Sequence, residues 1–313
     1  MEYLWLIGGF VILLISGEFL VRGATSLALR FNISTLVVGV TVVSFGTSAP
    51  ELVISLQAAL NGHPDICIGN IVGSNIANLA LVLGITATIF HVNVSKNSIK
   101  IDWPVMMIAS LAFWYFMSDL LIVRWEGLVF IIAIIVFVVW LIRKSRREEI
   151  ERASDQKVFI EQQSHAPVTK IIAYIVFGCV GLAFGAKWLV DGAIVIADNM
   201  GISERVIGLT VIAFGTSIPE LTTSLVATFK KQSDISIGNL IGSNIFNILG
   251  IIGVTALITD IPVLEATLNF DIFWMMGISL LVLPFMISRY QVRRIEGIIL
   301  LALYFTYIAF LTL

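Results

Sequence analysis

The sequence predicts an all-α integral membrane protein of ten transmembrane helices arranged as two inverted five-helix repeats, and three observations carry that prediction. Of the 313 residues, 58% are hydrophobic and 13% charged, with a mean hydropathy of +0.99, so the chain has too little charge to coat a water-soluble surface. Apolar windows of roughly 20 residues, the length that crosses a hydrocarbon core, recur throughout. The stretch GTSAPE at Gly46–Glu51 returns as GTSIPE at Gly215–Glu220, and the same offset of 169 aligns Gly39–Gly84 with Gly208–Gly253 without a gap. Roughly half of the paired residues are identical, far more than shared apolar composition gives.

Taken in order, a first span is expected near residues 3–28. It lacks the basic leader of a cleaved signal peptide and carries Glu18 and Arg22, so it reads as a retained helix. Further spans follow near 34–60, 66–90, 100–119 and 124–143, which completes a first repeat over residues 1–143. The one strongly polar stretch, Arg143–Pro167, supplies a linker over 144–168. At roughly 25 residues it is well short of the 50 or so that a regulatory domain needs, and it has no EF-hand spacing. The second repeat, 169–313, holds spans near 169–198, 204–229, 235–259, 267–288 and 294–312.

Charge tests this count, because cytoplasmic loops carry the lysine and arginine excess. With the N-terminus outside, the inward connections hold Arg30, then Lys96 and Lys100, the run from Arg143, Lys230 and Lys231, and Arg289, Arg293 and Arg294. The outward ones hold only Arg124 and Arg205, beside Glu126 and Glu204. Both termini are therefore expected outside a cell membrane and the central linker in the cytoplasm. An odd number of spans per repeat inverts the second copy, and inverted repeats with a site at the midplane are a transporter architecture. The net charge of −2 says nothing about partners, and nothing points to nucleic acid. Cys67 and Cys179 read as buried free thiols, and His63, His91 and His165 as loop residues.

Pro50 and Pro219 lack an N–H, so each helix must bend or break there, which is expected to free carbonyls near Ser44, Thr47, Ala213 and Thr216. Beside each break stand two hydroxyls and a carboxylate: Thr47, Ser48 and Glu51, then Thr216, Ser217 and Glu220. Carboxylates, carbonyls and hydroxyls are hard oxygen ligands suited to sodium and calcium, whereas zinc or copper would call for sulfur or imidazole. A membrane glutamate is functional by default, and two at equivalent positions strengthen that reading. A second element, DICIGNIVGSNIAN at Asp65–Asn78, returns as DISIGNLIGSNIFN at Asp234–Asn247. Its glycines permit close helix approach. Ser74 and Asn78 share one helix face, as do Ser243 and Asn247, and each face could complete an oxygen cage. Asn70, Asn75, Asn239 and Asn244 read instead as helix-to-helix hydrogen-bond partners.

The paired GTSxPE and GNxxGSN elements resemble the two alpha repeats of the cation/calcium exchanger superfamily, specifically its prokaryotic sodium/calcium exchanger branch. The resemblance covers nearly the whole chain. It implies an antiporter rather than an enzyme, exchanging sodium for calcium by alternating access, three sodium ions for one calcium on mutually exclusive sites. By motif position it implies that Glu51 and Glu220 are the metal-binding carboxylates, holding calcium and sharing in sodium. Thr47 and Thr216 would supply carbonyls, and Ser48, Ser74, Ser217, Ser243 and the carbonyls of Ser44 and Ala213 would coordinate sodium. Asn78 and Asn247 fill the central polar positions. No cofactor is implied, since sodium and calcium are cargo, and the remaining partner is the bilayer around a monomer.

At the Asn247 position some relatives, including potassium-dependent exchangers, place an aspartate. With asparagine at both centres the cage carries a maximum charge of −2 from Glu51 and Glu220, which argues against potassium co-transport. One alternative is a proton/calcium antiporter of the same superfamily, whose motif resembles GNxxE and lacks the hydroxyl pairs kept here. Another is an intramembrane hydrolase using paired carboxylates as acid and base, which explains neither the duplicated hydroxyls nor the repeat.

Overall fold

The computed structural model describes residues 2–156, 166–199 and 215–312. Its helices are α1 (Glu2–Phe31), α2 (Thr35–Thr47), α3 (Ala49–Leu60), α4 (Pro64–Ile89), α5 (Ser98–Phe116), α6 (Arg124–Gln156), α7 (Val168–Asn199), α8 (Ile218–Phe229), α9 (Ser233–Ile258), α10 (Thr267–Tyr290) and α11 (Arg294–Thr312). Helix is what this composition dictates, because at membrane depth every backbone group must be satisfied within the protein. Among the described residues eight helices are long and apolar enough to cross a membrane, or nine when α2 and α3, which meet at a 46° bend, count as one span. The chain is an all-helical multi-pass membrane protein. The expected span at 204–229 is described only in its later part, as α8; its earlier part, like Ala213, lies outside the described residues.

Helices α4 and α9 form the centre, with 78% and 72% of their apolar windows buried, against 22% for α7 and α11. Around them Ile71, Ile76, Leu83, Met106, Phe113, Phe130, Ile245 and Ile252 pack into one large core. A second cluster, including Leu13, Leu20, Ala24 and Leu182, joins α1 to α7. Helix α2 crosses α9 backbone to backbone: a Cβ on Gly242 would lie 2.6 Å from the Val40 carbonyl and 2.2 Å from Ser44 Oγ.

The halves share local detail beyond the aligned motifs. Hydrogen bonding relaxes to a π register at Ala77–Val82 in α4 and Phe246–Ile252 in α9, and again at Ser98–Asp102 and Thr267–Asp271. Four two-residue strands tie connections together: β1 (Val92–Asn93), β2 (Leu121–Ile122), β3 (Ile261–Pro262) and β4 (Gln291–Val292). β1 pairs antiparallel with β4, Val92 opposite Val292, and β2 with β3, Ile122 opposite Ile261. The loop before Lys96 and Lys100 thus lies beside the one before Arg293 and Arg294.

One boundary differs from expectation. The polar stretch after residue 143 does not leave the helix at once, and α6 continues to Gln156. Charges four apart hold this solvated part in register, Lys144 with Glu148 at 3.7 Å and Arg147 with Glu151 at 2.7 Å.

Candidate functional site

Both GTSxPE motifs leave helical geometry at the same residue. Ser48 (φ −85°, ψ 4°) separates α2 from α3, and Ser217 (φ −91°, ψ 3°) precedes α8. Pro50 and Pro219 then sit in the first turn of a new helix, where a missing N–H loses no intrahelical bond. Glu51 and Glu220 follow in those first turns, at the positive end of each helix dipole, and each is 1% exposed.

The carbonyl expectation needs correcting at Ser44. Its oxygen accepts the Ser48 N–H at 2.9 Å and faces Thr47 Oγ1 at 3.3 Å, so the break does not free it. The physical reason is that a proline removes the bond to the residue four before it, which is Gly46 rather than Ser44, and Gly215 in the second motif. Those glycines line a cavity of about 560 Å³ together with Pro50, Thr216, Pro219 and, from α7, Lys187 and Asp191.

Hydroxyls and amides join the halves. Ser48 donates to Glu220 Oε1 at 3.4 Å. Thr47 donates to Asn239 Oδ1 at 3.1 Å and lies 3.4 Å from Ser243 Oγ. Ser44 turns its hydroxyl away from the carboxylates, to the Gly39 carbonyl at 2.7 Å, with the Asn239 carbonyl 3.1 Å off. Ser74 is buried on α4 one turn before Asn78. Asn70 donates to Ser55 Oγ at 2.9 Å within the first half.

The four asparagines at the crossing of α4 and α9 form a closed reciprocal network. Asn78 Nδ2 donates to Asn244 Oδ1 at 3.0 Å, and Asn244 Nδ2 donates to the Asn75 carbonyl at 3.2 Å. Asn247 Nδ2 donates to Asn75 Oδ1 at 3.0 Å, and Asn75 Nδ2 lies 3.4 Å from the Asn244 carbonyl. Methionine sulfurs take the remaining approaches, Met275 Sδ at 3.6 Å from Asn75 Nδ2 and Met106 Sδ at 3.7 Å from Asn244 Nδ2. Sequence reasoning missed these two methionines, although the pairs Met106–Met107 and Met275–Met276 recur at the same offset of 169 and could have flagged them.

What remains of the motif side chains is a set of buried oxygens and one buried donor, Asn239 Nδ2. Among the described residues, Glu51 Oε2, Glu220 Oε2, Asn78 Oδ1, Asn247 Oδ1 and Ser217 Oγ have no hydrogen-bond partner. A buried oxygen left without a donor is unfavourable by roughly 1–3 kcal/mol, more when charged, and carboxylate, amide and hydroxyl oxygens are the hard donors that sodium and calcium accept. No group of three or more His, Cys, Asp or Glu side chains among the described residues is arranged to hold a metal.

A family model described as sodium/calcium exchanger protein matches residues 1–143 and 170–313. The chain is 36% identical over 306 residues to a putative antiporter, CaxA, of Alkalimonas amylolytica, with 96% of this chain and 95% of that protein covered. It is 30% identical to sodium/calcium exchanger MaX1 of Methanosarcina acetivorans, covering 99% and 98%. Its fold matches a solved structure of the sodium-calcium exchanger NCX_Mj with a TM-score of 0.83 and 32% identity, over 99% of this chain and 98% of that one.

Proposed function

This chain belongs to the sodium/calcium exchanger family, and on that premise we propose that it is a secondary active antiporter exchanging sodium for calcium by alternating access. The observation that carries the proposal is the set of partnerless buried oxygens contributed by both halves: Glu51, Asn78, Ser217, Glu220 and Asn247. Calcium binds between Glu51 and Glu220 with the carbonyls of Thr47 and Thr216, compensating two negative charges with one divalent ion. Sodium takes overlapping positions that use Ser48, Ser74, Ser217, Ser243 and the carbonyls of Ser44 and Ala213, so the two cargoes exclude one another. A carbonyl has two lone pairs, so the Ser44 oxygen keeps one for a cation beside its bond to Ser48.

The architecture that serves this exchange is ten spans in two inverted repeats, 1–143 and 169–313, joined by the linker 144–168. Support comes from the repeated break, the repeated π segments and the two cross-half strand pairs. Both termini face outside a plasma membrane and the linker faces the cytoplasm. That orientation is supported by the pairing of the basic connection at Lys96 with the one at Arg293 and by Asn97 reaching Glu148 at 3.2 Å. The protein works as a monomer.

Radiolabelled calcium uptake into vesicles loaded with sodium tests the proposal, with potassium-loaded and proton-gradient vesicles alongside. Sodium-driven uptake without potassium is expected. Uptake driven only by a pH gradient would move the chain to proton exchange.

A further inference from the structure

The asparagine network sets which end of each central amide faces the cage. A backbone carbonyl only accepts, so the end of Asn244 facing the Asn75 carbonyl at 3.2 Å must be its NH2 group. That turns Asn244 Oδ1 towards Asn78, whose own NH2 must then donate to it at 3.0 Å. Asn78 Oδ1 is left pointing at no donor. The same sequence runs in the other direction: Asn75 Nδ2 lies against the Asn244 carbonyl at 3.4 Å, Asn75 Oδ1 accepts from Asn247 Nδ2 at 3.0 Å, and Asn247 Oδ1 is left without a partner. Met275 and Met106 sulfurs, weak acceptors, hold the NH2 ends of Asn75 and Asn244 from the far side.

We infer that Asn75 and Asn244 are positioning residues for ion exchange: they orient Asn247 and Asn78 so that an amide oxygen, not an NH2, meets the cation. The inference rests on the reading of the cage given above. A flipped amide would present two partial positive hydrogens to an ion already compensated by only two carboxylates, so each inversion removes a ligand and adds a repulsion.

The test is a double-mutant cycle on the purified full-length protein, read as calcium binding by isothermal titration and as thermal stability. Asn75→Leu removes the acceptor that holds Asn247 with little change of volume. It is expected to weaken calcium binding about tenfold or more in the Asn247 background. In the Asn247→Ala background no amide remains to be oriented, so the same Asn75→Leu change is expected to alter affinity less than about threefold. A residue that merely packs the helices would lower affinity equally in both backgrounds, and that result overturns the inference. Asn244→Leu with and without Asn78→Ala repeats the cycle on the other side, and carries the test if the first pair does not fold. Glu51→Gln serves as the control: loss of binding there with no effect of Asn75→Leu refutes the positioning role alone. Retained binding in Glu51→Gln refutes the site itself.

Discussion

Glu51→Gln is the sharpest perturbation of the cage. In the site proposed above Glu51 and Glu220 are the two carboxylate ligands, so wild-type protein would oppose the +2 of calcium with −2. Glutamine keeps the shape but leaves +1 uncompensated at a position 1% exposed. Leaving a buried charge without its partner costs about 3–5 kcal/mol. At about 1.4 kcal/mol per tenfold, that is a loss of calcium affinity of roughly a hundredfold to a few thousandfold. Nothing nearby is set to offset it: Glu51 Oε2 has no hydrogen-bond partner among the described residues, so no donor is released to rearrange. Isothermal titration of purified Glu51→Gln with calcium in sodium-free buffer measures the loss, with circular dichroism to confirm an intact helical fold. Glu220→Gln should behave alike, since Glu220 has the same burial and the same place in its helix. Calcium affinity within threefold of wild type in both variants would refute the reasoning, because no neutral ligand could supply the missing charge.

Removing a neutral oxygen should act differently. Ser217→Ala and Ser48→Ala are expected to weaken sodium binding about tenfold while changing calcium affinity less, read as the sodium concentration that half-displaces bound calcium; Ser217 Oγ has no hydrogen-bond partner among the described residues, and Ser48 reaches Glu220 at 3.4 Å. Protons compete with cations for carboxylate oxygens, which bind metal only when deprotonated. Calcium affinity should therefore fall as pH drops and the carboxylates take up protons, and affinity unchanged by acidification would count against Glu51 and Glu220 as ligands. Gly242→Ala places a methyl 2.6 Å from the Val40 carbonyl and 2.7 Å from its Cα, so α2 and α9 must separate; a loss of roughly 1–3 kcal/mol is expected in thermal unfolding. Gly277→Ala, which meets nothing within 4 Å, is the matched control and should leave the melting temperature within a degree or two.

The fold was legible where physics leaves few choices. Twenty-residue apolar runs at membrane depth can only be helices, so spans 66–90 and 235–259 correspond closely to Pro64–Ile89 and Ser233–Ile258. The end of α6 was not legible, because hydropathy reports where the lipid stops and not where the helix does; four-residue charge spacing, visible in Lys144, Glu148, Arg147 and Glu151, was the missing signal. The break was legible from Pro50 and Pro219, but which carbonyl each one frees depends on counting four residues back, to Gly46 and Gly215, rather than on nearness to the proline. The π segments carrying Asn78 and Asn247 had no sequence signal at all, since a wider turn is set by what the helix packs against.

The same geometry explains why the GSNIxN element, Gly73–Asn78 and Gly242–Asn247, occurs twice. Each copy brings Asn75 and Asn78, or Asn244 and Asn247, to a depth where water cannot serve as hydrogen-bond partner. All four amides donate across to the other half rather than within their own helix, so a single copy would leave these NH2 groups unpaired, each unfavourable by about 1–3 kcal/mol. A second copy crossing the first supplies the missing acceptors reciprocally: the Asn75 carbonyl for Asn244, and Asn75 Oδ1 for Asn247, with the converse on the other side. Among these four asparagines the exchange consumes every NH2 end and leaves two amide oxygens over, one from each half, while the proline breaks place two carboxylates at helix N-termini. Two amide oxygens, one from each half, are thus what two copies of this element leave unpaired among the described residues when they satisfy one another, and neither copy alone could leave them so.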